Sequence, residues 1–89
     1  LHVASEYGQT EVAELLIKNG ADLEARDELD RTSLHVASQY GQTEVAELLI
    51  KNGADLEARD FPNQTSLHVA SEYGQTEVAE LLIKNGADL

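Results

Sequence analysis

Leu34-His35-Val36-Ala37-Ser38 stands 33 residues after Leu1-His2-Val3-Ala4-Ser5 and 33 residues before Leu67-His68-Val69-Ala70-Ser71. The return extends well beyond these five residues. Residues 1–23 and 67–89 are identical, and the periods 1–33 and 34–66 differ only at Glu6/Gln39 and at Glu28-Leu29-Asp30-Arg31 against Phe61-Pro62-Asn63-Gln64. A fixed period of this size is the mark of a solenoid, in which one supersecondary unit buries its apolar face against copies of itself. The chain is expected to be one array: residues 1–33 a repeat without the start of its first helix, 34–66 a full repeat, and 67–89 a truncated one.

The middle period is read for local structure from its punctuation. Thr32 precedes Ser33-Leu34-His35-Val36-Ala37-Ser38-Gln39-Tyr40, and its hydroxyl suits the N-cap of a short helix. Gly41 ends that segment. Thr43 is the expected cap of a second helix from Glu44 to about Asn52, with acids Glu44 and Glu47 early and Lys51 late, as the helix dipole favours. Val45, Ala46, Leu48, Leu49 and Ile50 give it a broad apolar stripe. After such a pattern, Gly53 reads as a left-handed C′ cap; the Asn52-Gly53 pair also fits a hairpin turn, but less well in this place. Two helices this short do not persist alone and must stack on neighbouring copies. The remainder, Ala54 to Gln64 and its counterpart Ala21 to Arg31, is polar and lacks helical period, so it reads as an extended loop ending in a β-turn. Asp30 and Asn63 hold equivalent places there, and both residue types tolerate positive φ.

A net charge of −11 argues against nucleic acid and anionic membranes as partners and favours a basic protein surface. There is no cysteine, hence no disulfide framework and no thiol chemistry. No apolar run approaches the roughly 20 residues that span a bilayer.

A 33-residue unit of β-turn and two antiparallel helices resembles the ankyrin repeat. The match is carried by Thr32-Ser33-Leu34-His35, Ala37, Gly41, Glu44-Val45, Leu48-Leu49 and Gly53-Ala54-Asp55, and it recurs through the whole chain. The resemblance implies an all-α repeat solenoid of stacked helix-turn-helix units with protruding β-turn or hairpin loops. It implies a non-catalytic protein-binding module without cofactor or metal, in an intracellular, cytoplasmic setting. It gives Thr32, His35, Gly41, Gly53, Thr65, His68, Gly74 and Gly86 structural work. The chain departs from the family pattern where Pro is usual (Ser33, Ser66), where the turn Gly is usual (Asp30, Asn63), and where His is usual after the inter-helix Gly (Gln9, Gln42, Gln75). Ala13, Ala46 and Ala79 replace a β-branched core residue. Together these departures point to a less stable array than an idealised one. Both ends read as cut from a longer array, with apolar faces that no polar cap replaces, so end-to-end self-association is a further expectation.

Chemistry-bearing candidates have plainer explanations. The three histidines fall one per repeat, about 8–10 Å apart if the helices pack normally, too far to share one zinc ion. Ser33-Leu34-His35 lacks any nucleophile motif. The acids from Asp22 to Asp30 lack the spacing and the Gly of a calcium loop. Asn63-Gln64-Thr65 matches a glycosylation sequon by accident, given the intracellular setting.

The more informative residues are those at which the copies differ, because the resemblance places them on the turn tips and the first helices that line a concave groove. The candidate partner-binding set is Tyr7, Glu28, Leu29, Arg31, Gln39, Tyr40, Phe61, Gln64, Glu72 and Tyr73. Leu29 and Phe61 lead it, as apolar residues at exposed tips. The rival expectation is a structural spacer, an elastic segment of a long array, which the near-identity of the copies favours.

Overall fold

The computed structural model describes residues 1–89. Six helices run in pairs: α1 (His2–Tyr7) with α2 (Thr10–Lys18), α3 (Ser33–Gln39) with α4 (Thr43–Lys51), and α5 (Ser66–Glu72) with α6 (Thr76–Lys84). The first helices form one layer, with α3 between α1 and α5. The second helices form another, with α4 between α2 and α6. The stack measures 32 × 25 × 21 Å.

The core lies between the two layers and runs the length of the stack. Leu34, Val45, Leu49 and Leu82 fill it, and Ala37, Ala46 and Ala70 let the layers approach. In the middle repeat every residue from Ser33 to Ser38 is buried. A seven-residue helix too short to hold itself together is thus held by neighbours on several sides. No residue is assigned to a strand, so the protruding loops are turns rather than hairpins with paired arms.

Caps decide where the helices begin and stop. Thr32 caps α3 as expected, and the bond is reciprocal: Thr32 Oγ1 accepts the His35 amide at 3.3 Å, and His35 Nδ1 accepts the Thr32 amide at 3.2 Å. Thr65 and His68 repeat this capping box in α5. At the other end of the unit, Ala54 N–H donates to Leu49 O and Gly53 N–H to Ile50 O, both at 3.0 Å, with Gly53 at φ 96°. This is the Schellman closure, and it fixes the C′ role of Gly53.

The expected cap of the second helix is corrected. Helix α4 begins at Thr43 itself, its N-cap is Gln42, and no side chain caps it. Only Gln42 separates Gly41, which closes α3, from the first turn of α4, so the chain enters that helix one residue earlier than a Thr43 cap would require. The Gln42 side chain is turned away to the preceding repeat, where Nε2 donates to the Glu6 carbonyl at 3.0 Å. Gln75 does the same to Gln39 at 2.9 Å.

Candidate functional site

The candidate surface begins with two turn tips. In the first, Asp30 N–H donates to Asp27 O at 2.9 Å and Asp27 N–H to Arg31 O at 3.1 Å, with Asp30 at φ 60°. The Asp27 carboxylate braces the turn from inside. One oxygen accepts the amides of Leu29 (3.0 Å) and Arg31 (2.8 Å), and the other accepts Arg31 Nε at 2.8 Å. Burial alone would push this carboxyl up. The N–H donors of Arg31, its positive charge and the Leu29 amide outweigh burial and hold Asp27 below the ordinary aspartate value.

The second tip keeps the closing backbone bonds and loses part of the brace. Asn63 sits at φ 93° and donates to the Asp60 carbonyl. The Asp60 carboxylate accepts the Gln64 amide at 2.7 Å. Gln64 stands where Arg31 stood and offers that carboxylate no side-chain donor. The Phe61-Pro62 peptide is cis.

Backbone and guanidinium bonds tie the tips to each other. Phe61 N–H donates to Leu29 O at 3.0 Å, and Arg26 Nη1 bridges the carbonyls of Asp30 (2.9 Å) and Arg59 (2.6 Å). These bonds set Leu29 and Phe61 on adjoining tips. Both side chains are exposed, Phe61 at 73% and Leu29 at 51%. Glu28 is exposed beside them.

The histidines anchor the tips from below. His35 Nε2 lies 2.7 Å from the Gln64 carbonyl, and His2 Nε2 lies 2.7 Å from the Arg31 carbonyl. Because Nδ1 of His35 accepts from Thr32, the proton belongs on Nε2, which then donates to Gln64. One imidazole therefore caps its own helix and holds the tip that follows it in the chain. His68 makes the same cap and is exposed beyond it.

The structure places the remaining candidates as follows. Tyr7, Tyr40 and Tyr73 are exposed, one per repeat, at the C-terminal end of each first helix. Arg31 and Gln39 are partly buried and bonded to each other, Nη1 to Oε1 at 2.9 Å. Gln64 Nε2 donates to Glu72 Oε1 at 3.2 Å. The last differing position of each tip thus pairs with the variable position of the first helix that follows it. Since Ser33 to Ser38 are buried, the surface that α3 offers a partner narrows to its C-terminal end, at Gln39 and Tyr40. Gly41, Gly74, Gly53 and Gly86 all hold positive φ, as a turn glycine must. At Gly41 there is a second reason, since a Cβ would collide with the Gln75 carboxamide.

Sequence reasoning missed the inter-repeat bonds. Gln42 and Gln75 were visible only as departures from the family pattern. Glu24, whose carboxylate accepts the Asp55 amide at 3.0 Å, and Glu57, which accepts that of Asp88 at 3.0 Å, lie in stretches that read only as polar extended loops. Their common signal is recurrence at the same register in a loop that otherwise tolerates change. No group of His, Asp or Glu residues is placed to hold a metal ion, and no helix is long and apolar enough to cross a membrane.

A solenoid of paired short helices, with Thr–His capping boxes at the starts of α3 and α5 and a Gly closing each second helix, defines a helical repeat protein. The chain matches the ankyrin-repeat family model, as three copies, over residues 1–89. It belongs to the ankyrin-repeat family, whose members are in general protein–protein interaction modules and typically non-catalytic. No individual curated protein matches it.

Proposed function

We propose that the chain is a non-catalytic binding module that recognises a protein partner through its adjoining tips and the C-terminal ends of its first helices. The observation that carries this is the pair Leu29 and Phe61, two large apolar side chains left in water on turns that hydrogen bonds hold rigid. A fold has no packing reason to spend bonds on presenting them, and rigid presentation lowers the ordering cost of binding. Tyr40 supplies an amphipathic ring of the kind enriched at interface hot spots. Glu28, Asp30 and Glu72 surround these residues with acid, and the whole chain carries −11, so the complementary partner presents an apolar anchor within a basic surround.

A spacer function is favoured by one observation. Helices α2, α4 and α6 are identical in sequence, and the inter-repeat glutamine bonds recur in register, as a rod of uniform stiffness requires.

Affinity capture at near-physiological salt separates the two, with the wild-type chain and the Leu29→Ala/Tyr40→Ala/Phe61→Ala variant as baits, once circular dichroism establishes equal helix content. A partner held by the first and lost by the second supports the binding module. Equal captures sink the site and leave the spacer. Capture that weakens as salt is raised supports the basic character of the partner.

A further inference from the structure

Tyr40 has a repeat on either side of it and is still 45% exposed, so its exposure belongs to the repeat itself. Tyr7 and Tyr73 hold the same place in the neighbouring units, and the first helices thus carry a single file of rings. The file is held rigid. The Gln42 carboxamide donates to the Glu6 carbonyl at 3.0 Å and that of Gln75 to the Gln39 carbonyl at 2.9 Å, each time on the residue just before a tyrosine. Successive rings follow the spacing of packed helices, about 8–10 Å. Beside the file lie two shallow grooves, of about 240 Å³ and about 230 Å³, at the two interior junctions. Both include Gly41, the residue after Tyr40. Thr43, Glu44 and Glu77 wall the first, and Thr43, Thr76 and Glu77 the second. Glu44 and Glu77 are exposed and unpaired: both ion pairs of the chain belong to the first tip, and Lys51 and Lys84 stand at the far ends of α4 and α6. Rings and acid-walled grooves therefore run side by side at one period.

We propose that this double row binds a polyproline II segment of a partner, with proline and a basic residue each recurring at every third position. The proposal rests on the binding-module reading and names its ligand class. A polyproline II helix turns once in three residues, about 9.3 Å, so one edge of it meets successive repeats in step. Proline on that edge lies on the tyrosine rings, since aromatic surfaces dock such segments and the preformed helix loses little freedom on binding. Lysine or arginine on the next edge reaches Glu44 and Glu77, and the −11 of the chain favours it. Other backbones fit less well. A β-strand returns to one face about every 6.7 Å and falls out of step with the repeat. An α-helix returns at seven residues, about 10.5 Å, but needs to bury an apolar stripe about 100° wide. The file is one side chain wide, with Gln39 and Glu72 before the rings and Thr43 and Glu44 after them.

Fluorescence anisotropy tests this with three labelled peptides of equal charge. The first repeats the triplet Pro-Lys-Pro over a length that crosses the stack, at about 3.1 Å per residue. The second has the same composition with its lysines contiguous. The third is helical, with leucines seven residues apart. The triplet peptide is expected to bind about fivefold tighter than either control at low salt, and less tightly as salt is raised. Tyr40→Ala is expected to weaken it about tenfold and Glu44→Gln/Glu77→Gln about fivefold, whereas Leu29→Ala/Phe61→Ala leaves it unchanged. Circular dichroism checks that the variants stay folded. A second readout needs no variant: in the wild type, the ring protons of all three tyrosines shift as the triplet peptide is titrated in an NMR tube. Equal binding of the triplet and contiguous peptides reduces the effect to bulk charge and overturns the proposal. So does tighter binding of the helical peptide, or tyrosine rings that do not respond. Binding lost by Leu29→Ala/Phe61→Ala and kept by Tyr40→Ala puts the segment on the tips and overturns the row. A triplet peptide that fails to bind, while a lysate partner is still lost from the Leu29/Tyr40/Phe61 variant, removes this ligand class and leaves the binding module standing.

Discussion

The two tips are closed by corresponding backbone bonds, with positive φ at Asp30 and Asn63, and differ in what else holds them. Residues 27–31 are braced by a carboxylate with three bonds, two to amides and one to the Arg31 guanidinium. Residues 60–64 make the corresponding turn with one carboxylate bond to an amide. Positive φ at Asp30 and Asn63 is common to both tips, whereas the carboxylate bonds that brace them are not. A repeat protein can therefore keep the closing bonds of its turns while changing the bracing and charge of what it presents. Here the better-braced tip is the acidic one and carries Leu29, while the less braced tip carries the more exposed Phe61.

The sharpest way to break the comparison is to remove each carboxylate. Asp27→Ala is expected to lower stability by about 2–3 kcal/mol, since two amides and a guanidinium lose a charged acceptor. Asp60→Ala is expected to cost about 1–2 kcal/mol for a single amide. Urea unfolding midpoints at neutral pH rank the two, and equal losses would refute the bracing argument. Acid sharpens it further. Asp27 is held below its ordinary value, so its contribution is complete above the unfolded aspartate pKa of about 3.9 and is lost as pH falls through the lower folded value. Arg31→Gln makes the first tip resemble the second, and its stability should fall less steeply over that acid range than that of the wild type.

Smaller effects are expected at the base of each tip. Ser33 and Ser66 follow the capping threonines, and their buried hydroxyls have no hydrogen-bond partner. Thr32 lies at φ −83°, ψ 170°, a conformation that a following proline accepts, and the first amide of a helix has no intrahelical acceptor to lose. Ser33→Pro and Ser66→Pro are each expected to raise stability by about 0.5–1 kcal/mol, read as an upward shift in thermal midpoint. A drop at either site would show that the hydroxyl is satisfied by water. The smallest change is Gln64→Arg, which gives the second tip the donor it lacks, close to Asp60 and Glu72. A gain of about 0.2–1 kcal/mol is expected, vanishing in high salt.

Much of this was legible from residues alone. The repeat, the Thr32 and Thr65 caps, the Gly53 closure and the need for positive φ at residues 30 and 63 are local matters, set within a few residues of chain. The Thr43 cap was misjudged because a Thr before an acid is a good cap in isolation, and the closeness of Gly41 decided otherwise. The pairing of Arg31 with Gln39 and of Gln64 with Glu72 spans eight residues and a change of direction. Spacing could mark those positions as variable, but not as touching. The glutamine bonds to Glu6 and Gln39 span 36 residues and belong to the stack rather than to any one unit.

The glutamine against the glycine gives the stack a plug and a socket on opposite sides of every unit. A duplicated unit arrives carrying both, already matched to whatever stands before and after it. An array built this way can be lengthened or shortened by whole units through recombination without any junction having to be reinvented. Damage is equally directional: a side chain placed at Gly41 spoils the seat of the following unit, so a lesion's first symptom lies one repeat downstream of its address.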